Sequence, residues 1–242
     1  MLGVIVNVGT VLLGSTVGLI FKKGISVKFT DAVMTGIGLC TLLIGIQGMA
    51  DGMLKGQNVL VTIISMVIGA IVGTAIDIDK RLNGAGDFLS KKLKSKNSDK
   101  NTFAQGFVTA SLVFCVGSMT IVGSLESGLE GNHTTIFTKS LLDLFSSMML
   151  SASLGAGVIF AALFVFIFQG GLVLASGLLA PVLSDGAIAE ITSVGALLIF
   201  ALGLNLTGIG KFKVANYLPA IVFSPLVYYG FRLLGKYIPA LA

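Results

Sequence analysis

FCVGSMTIVGS, residues 114–124, sets two glycines, two serines and a threonine inside an apolar stretch, 104–123, that otherwise reads as a membrane-spanning helix. In hydrocarbon a helix must satisfy its own backbone hydrogen bonds. Glycines let it unwind or let another backbone approach closely. The hydroxyls of Ser118, Thr120 and Ser124 can then replace the bonds set free. An unwound segment near the midplane offers carbonyls to a cation and amides to an anion, as the discontinuous helices of secondary transporters do. Ligand-free helix packing through Gly117 and Gly123 is the competing reading of the same spacing.

The surrounding sequence supports a membrane setting. Of the 242 residues 55% are hydrophobic and only 11% charged, against roughly 25% charged in soluble chains. Runs of about 20 apolar residues suffice to cross the hydrocarbon core. Uncharged runs predict spans near 3–21, 32–50, 58–76, 104–123, 136–153, 156–180, 188–206 and 214–234. The expectation is an all-α polytopic bundle of about eight transmembrane helices. Its least regular span is the fifth, with Lys139 and Asp143 in its first turns. The N-terminal run lacks a basic n-region and a small-residue cleavage site, so it reads as a retained helix. Cys40 and Cys115 match no metal or redox spacing and are expected to be small packing residues.

Lysines and arginines are retained on the cytoplasmic side of a membrane. One alternate set of loops holds twelve of them and the other holds four, Lys55, Lys139, Arg232 and Lys236, so both termini are expected outside an inner membrane. The excess of basic residues sits in short loops beside apolar runs, which favours lipid headgroups over nucleic acid as the partner. Four segments follow: a first three-helix unit, 1–78; a basic linker, 79–102; central helices with the Gly/Ser-rich break, 103–154; and a second three-helix unit, 155–242. In the linker, Leu82, Phe88, Leu89 and Leu93 can share one side of an interfacial helix on anionic lipid, or the segment is a solvated charged connection.

A shift of 158 positions places Gly45-Ile46-Gln47 on Gly203-Leu204-Asn205, Lys55 on Lys213 and Asn58 on Asn216. Five spans separate the first helix from the sixth, so helices 1–3 and 6–8 would enter from opposite sides, as an inverted repeat.

Polar groups in hydrocarbon are costly unless paired or facing a wet cavity. Four carboxamides, Asn7, Gln47, Gln169 and Asn205, lie within or at the edges of apolar runs. Each offers donors and an acceptor, suited to a polar uncharged or zwitterionic solute, or to an interhelical clamp. Gly170-Gly171 and Ser176-Gly177 mark a second place for a backbone to open. Asp143 either carries H⁺ or Na⁺ as the coupling ion or pairs with Lys139 four residues earlier. Glu126 and Glu190 are expected near the outer surface in solvated roles. A lone histidine, His133, and the lack of a nucleotide-binding motif or nucleophile beside a base argue against an enzyme.

The stretches GVIVNVGTVLLGSTVGL, GFVTASLVFCVGSMTIVGSLESGL, TKSLLDLFSSMMLSASLG, FQGGLVLAS and GALLIFALGLNLTGI with KVANYLPA occur in order along nearly the whole chain. In these stretches the chain resembles the bacterial membrane proteins of domain-of-unknown-function family 554, the YqgA/YdfK-like proteins. The family pattern often has Pro after Cys-Val-Gly, where this chain has Ser118. The resemblance implies a bacterial inner-membrane protein and one integral fold, and it supplies no substrate or functional residue.

The expectation is a secondary transporter of a small solute or ion, without cofactor. Gly117, Ser118, Thr120, Gly123, Ser124, Gln169, Asn205, Gln47 and Asn7 would line its site, and Asp143 would couple it. An ion channel and a non-transporting assembly or regulatory protein are the alternatives, and a homodimer is expected by analogy with other small inverted-repeat proteins.

Overall fold

A computed structural model describes residues 1–22, 27–81, 84 and 100–235. The proposed interfacial face of the linker, with Leu82, Phe88, Leu89 and Leu93, lies outside the described residues.

The structure is all-helical among the described residues, in this order: α1 (Leu2–Lys22), α2 (Val27–Leu54), α3 (Val59–Ile76), α4 (Lys100–Cys115), α5 (Ser118–Leu129), α6 (Thr134–Leu154), α7 (Gly157–Leu174), the single turn α8 (Ser176–Leu179), α9 (Asp185–Leu206), a 3₁₀ turn (Val214–Tyr217) and α10 (Pro219–Gly235). Each expected span overlaps a helix. Six of these helices are long and apolar enough to cross a membrane, and seven if the bent pair α4–α5 forms one span. Helix α6 has the length of a span, but its charged pair and five serines lower its hydropathy.

Local chemistry sets the boundaries. Asn58 caps α3 by accepting the Leu60 N–H at 2.9 Å, and Asp77 ends it in the left-handed region at φ 53°. Gly155, at φ 79°, makes the tight turn between α6 and α7, a torsion that costs glycine nothing.

Leu13, Ile20, Leu43, Ile71, Leu163 and Leu226 are each more than 60% exposed, while the faces turned inward mix buried apolar residues such as Phe114, Leu154 and Leu198 with small and polar ones. On α3 the buried stripe is Val61, Ser65, Gly69 and Gly73 at i+4 spacing. Lipid tails give apolar side chains no reason to cluster, so helices in a membrane associate through close backbone approach. That approach is visible where glycines leave room. A Cβ on Gly14 would stand 2.2 Å from the Leu144 carbonyl, and one on Gly18 2.1 Å from that of Met148. Helix α1 therefore runs parallel to α6. By the same measure Gly45 meets Phe200 and Gly52 meets Ser193, so α2 runs antiparallel to α9. Gly69 meets Ala220 and Gly73 meets Asn216, so α3 runs antiparallel to α10. Rings pair Phe103 with Phe160 and Phe107 with Phe164, setting α4 parallel to α7.

Cys115 is buried as expected, but Cys40 faces outward, so it is not a packing residue.

Candidate functional site at a broken helix

The apolar run 104–123 is interrupted at Val116-Gly117, and the flanking helices meet at 56°. The interruption is shorter than the expected break from Gly117 to Ser124, because Ser118–Leu129 is helical. Thr120 Oγ1 donates to the Phe114 carbonyl at 3.0 Å, supplying a bond that the bend removes from the backbone. Gly117 itself is extended (φ 178°), a conformation open to any residue, and a Cβ there would meet no atom within 4 Å. There is thus free space beside the bend. Val116 occupies the notch left by Gly195 on α9, which seats the bend against that helix. Gly123 allows α5 to approach Thr135 and Ile136 on α6. Ser124 is fully buried and its hydroxyl has no partner. The side chain of Ser118 lies outside the described residues.

Beside the bend, Lys139 and Asp143 share one face of α6, as residues four apart in a helix do. They form an ion pair, Lys139 Nζ donating to the Asp143 carboxylate, with exposures of 5% and 4%. Lys139 Nζ also stands 6.0 Å from the centroid of the Phe114 ring, in the last turn of α4. Cys115 lies within electrostatic reach of both charges. Taking two charges out of water is expensive, and their mutual attraction offsets that cost only while both partners remain.

Asn7 on α1 and Gln169 on α7 complete the cluster. Asn7 Nδ2 donates to Gln169 Oε1 at 3.1 Å, and both side chains are wholly buried. The Asn7 carboxamide is also a hydrogen-bonding neighbour of the Asp143 carboxylate. Two polar atoms are left over, Asn7 Oδ1 and Gln169 Nε2. Exchanging O and N in both amides preserves the one bond and again leaves an acceptor and a donor unmatched, so the vacancy does not depend on that assignment. The cluster draws on α1, the last turn of α4 before the bend, α6 and α7: an ion pair, one free acceptor and one free donor.

Two of the expected residues stand elsewhere. Gln47 is exposed on the outer face of α2. Asn205, near the end of α9, ties down the following loop by accepting the Phe212 N–H at 2.8 Å and donating to its carbonyl at 2.7 Å. It lines a separate pocket of about 270 Å³ with Asp79, Gln105 and Lys213. Of the second expected opening, α7 continues through Gly170-Gly171 and ends at Leu174, and the backbone breaks at Ala175, ahead of the single turn Ser176–Leu179. Among the described residues no three His, Cys, Asp or Glu side chains gather as a metal site.

One acidic residue lies away from its expected place. Glu190 is not at a solvated surface. It is completely buried, with Oε1 accepting the Asn58 N–H at 2.5 Å and Oε2 unpartnered. The turn after α2 folds over this part of α9, and no local signal in the sequence announces that.

Long apolar helices with largely apolar outer faces and close small-residue contacts define a polytopic integral membrane protein. The chain belongs to the family described as Protein of unknown function (DUF554), which matches residues 2–229. It is 34% identical over 235 residues to the "Uncharacterized membrane protein YdfK" of Bacillus subtilis (strain 168), covering 97% of this chain and 99% of that protein. It is 28% identical over 226 residues to the "Uncharacterized protein YqgA" of Escherichia coli (strain K12), covering 92% and 94% respectively. No solved structure matches the chain.

Proposed function

We propose that the chain is a secondary transporter of a small polar solute, uncharged or zwitterionic, bound between the α4–α5 bend and the Asn7–Gln169 pair. The observation that carries this reading is the unmatched acceptor and donor, Asn7 Oδ1 and Gln169 Nε2, wholly buried in the same cluster as the Lys139–Asp143 ion pair. Buried amides without partners are destabilising, and a solute offering one donor and one acceptor removes that cost. The Lys139–Asp143 pair gives a zwitterion two charges to engage, and H⁺ or Na⁺ serves as coupling ion.

An inverted repeat of helices 1–3 and 6–8 belongs to this reading, with α1, α2 and α3 exchanging with α7, α9 and α10. Gly45 meets Phe200 and Gly203 meets Leu42, contacts that interchange under the 158-residue shift. The parallel pair α1 and α6 has its counterpart in the parallel pair α7 and α4. Basic residues after α3 and α9 share one end of the bundle, where the Asp79 N–H bonds Asn216 Oδ1 at 2.8 Å. This supports a cytoplasmic placement for that end, with the termini outside an inner membrane.

The test is a thermal-shift screen of the purified protein against amino acids, small carboxylates and monovalent cations. A ligand that binds only the folded state raises the apparent melting temperature. The reading requires a solute whose shift is lost in Asn7→Leu and Gln169→Leu.

A further inference from the structure

Asp143 has its counter-charge in Lys139. Glu190 does not. Its side chain is 0% exposed in the second turn of α9, and among the described residues no basic side chain lies within ion-pairing distance.

The titratable groups brought to this end of the fold by neighbouring elements do not supply one. On α2, Lys55 is committed to Asp51 at 2.9 Å. Helix α10 presents Tyr228 to Gly186, farther toward the end of α9, and carries Arg232 one turn beyond it. Helix α5 brings only acids, Glu126 and Glu130, and Glu126 accepts the Thr135 hydroxyl at 2.6 Å. On α9 itself the neighbour is acidic, Asp185. Helix α3 contributes no charge near its start, only the Thr62 hydroxyl, which lies against the carboxylate and donates to Gln57 Oε1 at 3.3 Å.

An ionised carboxylate in such a place, with the Asn58 amide on one oxygen, the Thr62 hydroxyl beside it and no basic group, carries a desolvation cost that these two dipoles offset only in part. Something positive must neutralise it. The space is tight: the Ser193 hydroxyl already stands 1.8 Å from where a Cβ on Gly52 would lie. A hydrated or multiply ligated cation needs several oxygens around it, whereas a proton needs one. The Ser193 hydroxyl, one turn along α9, is likewise buried without a partner, so no donor reaches Oε2 from that side.

We infer that Glu190 is a proton-binding site, its Oε2 carrying a proton taken from water and its Oε1 held by the Asn58 amide. The site is separate from the Asn7–Gln169 cluster and stands whether or not a solute is transported.

Infrared spectroscopy of the purified protein tests it at neutral pH, where the C=O stretch of a protonated carboxylic acid is resolved from carboxylate bands. The wild type is expected to show that band, shifted on exchange into ²H₂O, retained in Asp143→Asn and lost in Glu190→Gln. The glutamine keeps an acceptor for the Asn58 N–H, so an unchanged melting profile accompanies the loss. A wild-type spectrum without the band overturns the inference without recourse to any variant, as does a band that survives in Glu190→Gln. A missing band combined with a melting temperature that rises in NaCl over choline chloride, in the wild type but not in Glu190→Gln, replaces the proton with a metal cation and also overturns it.

Discussion

Asn7 and Gln169 are 162 residues apart in the chain, yet their carboxamides meet in the interior of the bundle at 3.1 Å, each leaving its other polar atom without a partner. Interhelical hydrogen bonds in membranes contribute roughly 0.6 kcal/mol on average. Asn7→Leu and Gln169→Leu should therefore melt within a few degrees of the wild type while losing ligand-induced stabilisation. A large loss of stability in either variant, with ligand response intact, would make the pair a clamp and nothing more.

The losses from the Lys139–Asp143 pair should not add. Lys139→Met leaves a buried carboxylate and Asp143→Leu leaves a buried ammonium, each costing about 3–5 kcal/mol. The double variant Lys139→Met/Asp143→Leu removes both charges and should recover most of that loss. Unfolding in mixed detergent micelles measures all three. Additive losses in the double variant would show that the pair is not a coupled buried unit.

Glycines of the same family of helices should respond in opposite ways to alanine. In Gly18→Ala the new methyl would collide with the Met148 carbonyl at 2.1 Å, forcing α1 away from α6, at a cost on the order of 1–3 kcal/mol. Gly117→Ala places its methyl in open space on an extended backbone, and its melting temperature should be unchanged. An equal loss in both would mean that the bend is packed as tightly as the α1–α6 contact.

The two cysteines separate outer face from interior. In folded micelles Cys40 should react with a lipophilic thiol probe well before Cys115, and Cys40→Ser should abolish the fast phase. A bound solute that fills the bend should slow Cys115 further, because that thiol is in the last turn before the break.

How much of this was legible depends on which physical signal is one-dimensional. Helix existence is: apolar runs long enough to span hydrocarbon located the long helices, and Gly117 with its hydroxyl neighbours located the bend. Facing is not. Gln47 and Asn7 look alike in sequence, each a lone carboxamide in an apolar run, but one points outward and the other inward because different small-residue stripes pack α2 and α1. Asn205 was visible as polar but not as the anchor of its own C-terminal loop. Glu190 lies only six residues into its helix and looked like a surface acid, until the turn at Asn58 is seen to close over it.

Solute uptake by proteoliposomes is the most direct test of the central claim. Liposomes containing the protein, energised with a proton or sodium gradient, are challenged with the compounds that raise its melting temperature. The account predicts saturable, gradient-dependent uptake in the wild type and Gly117→Ala, and none in Gln169→Leu. Equal uptake in wild type, Gln169→Leu and empty liposomes, for every compound that binds, would contradict it.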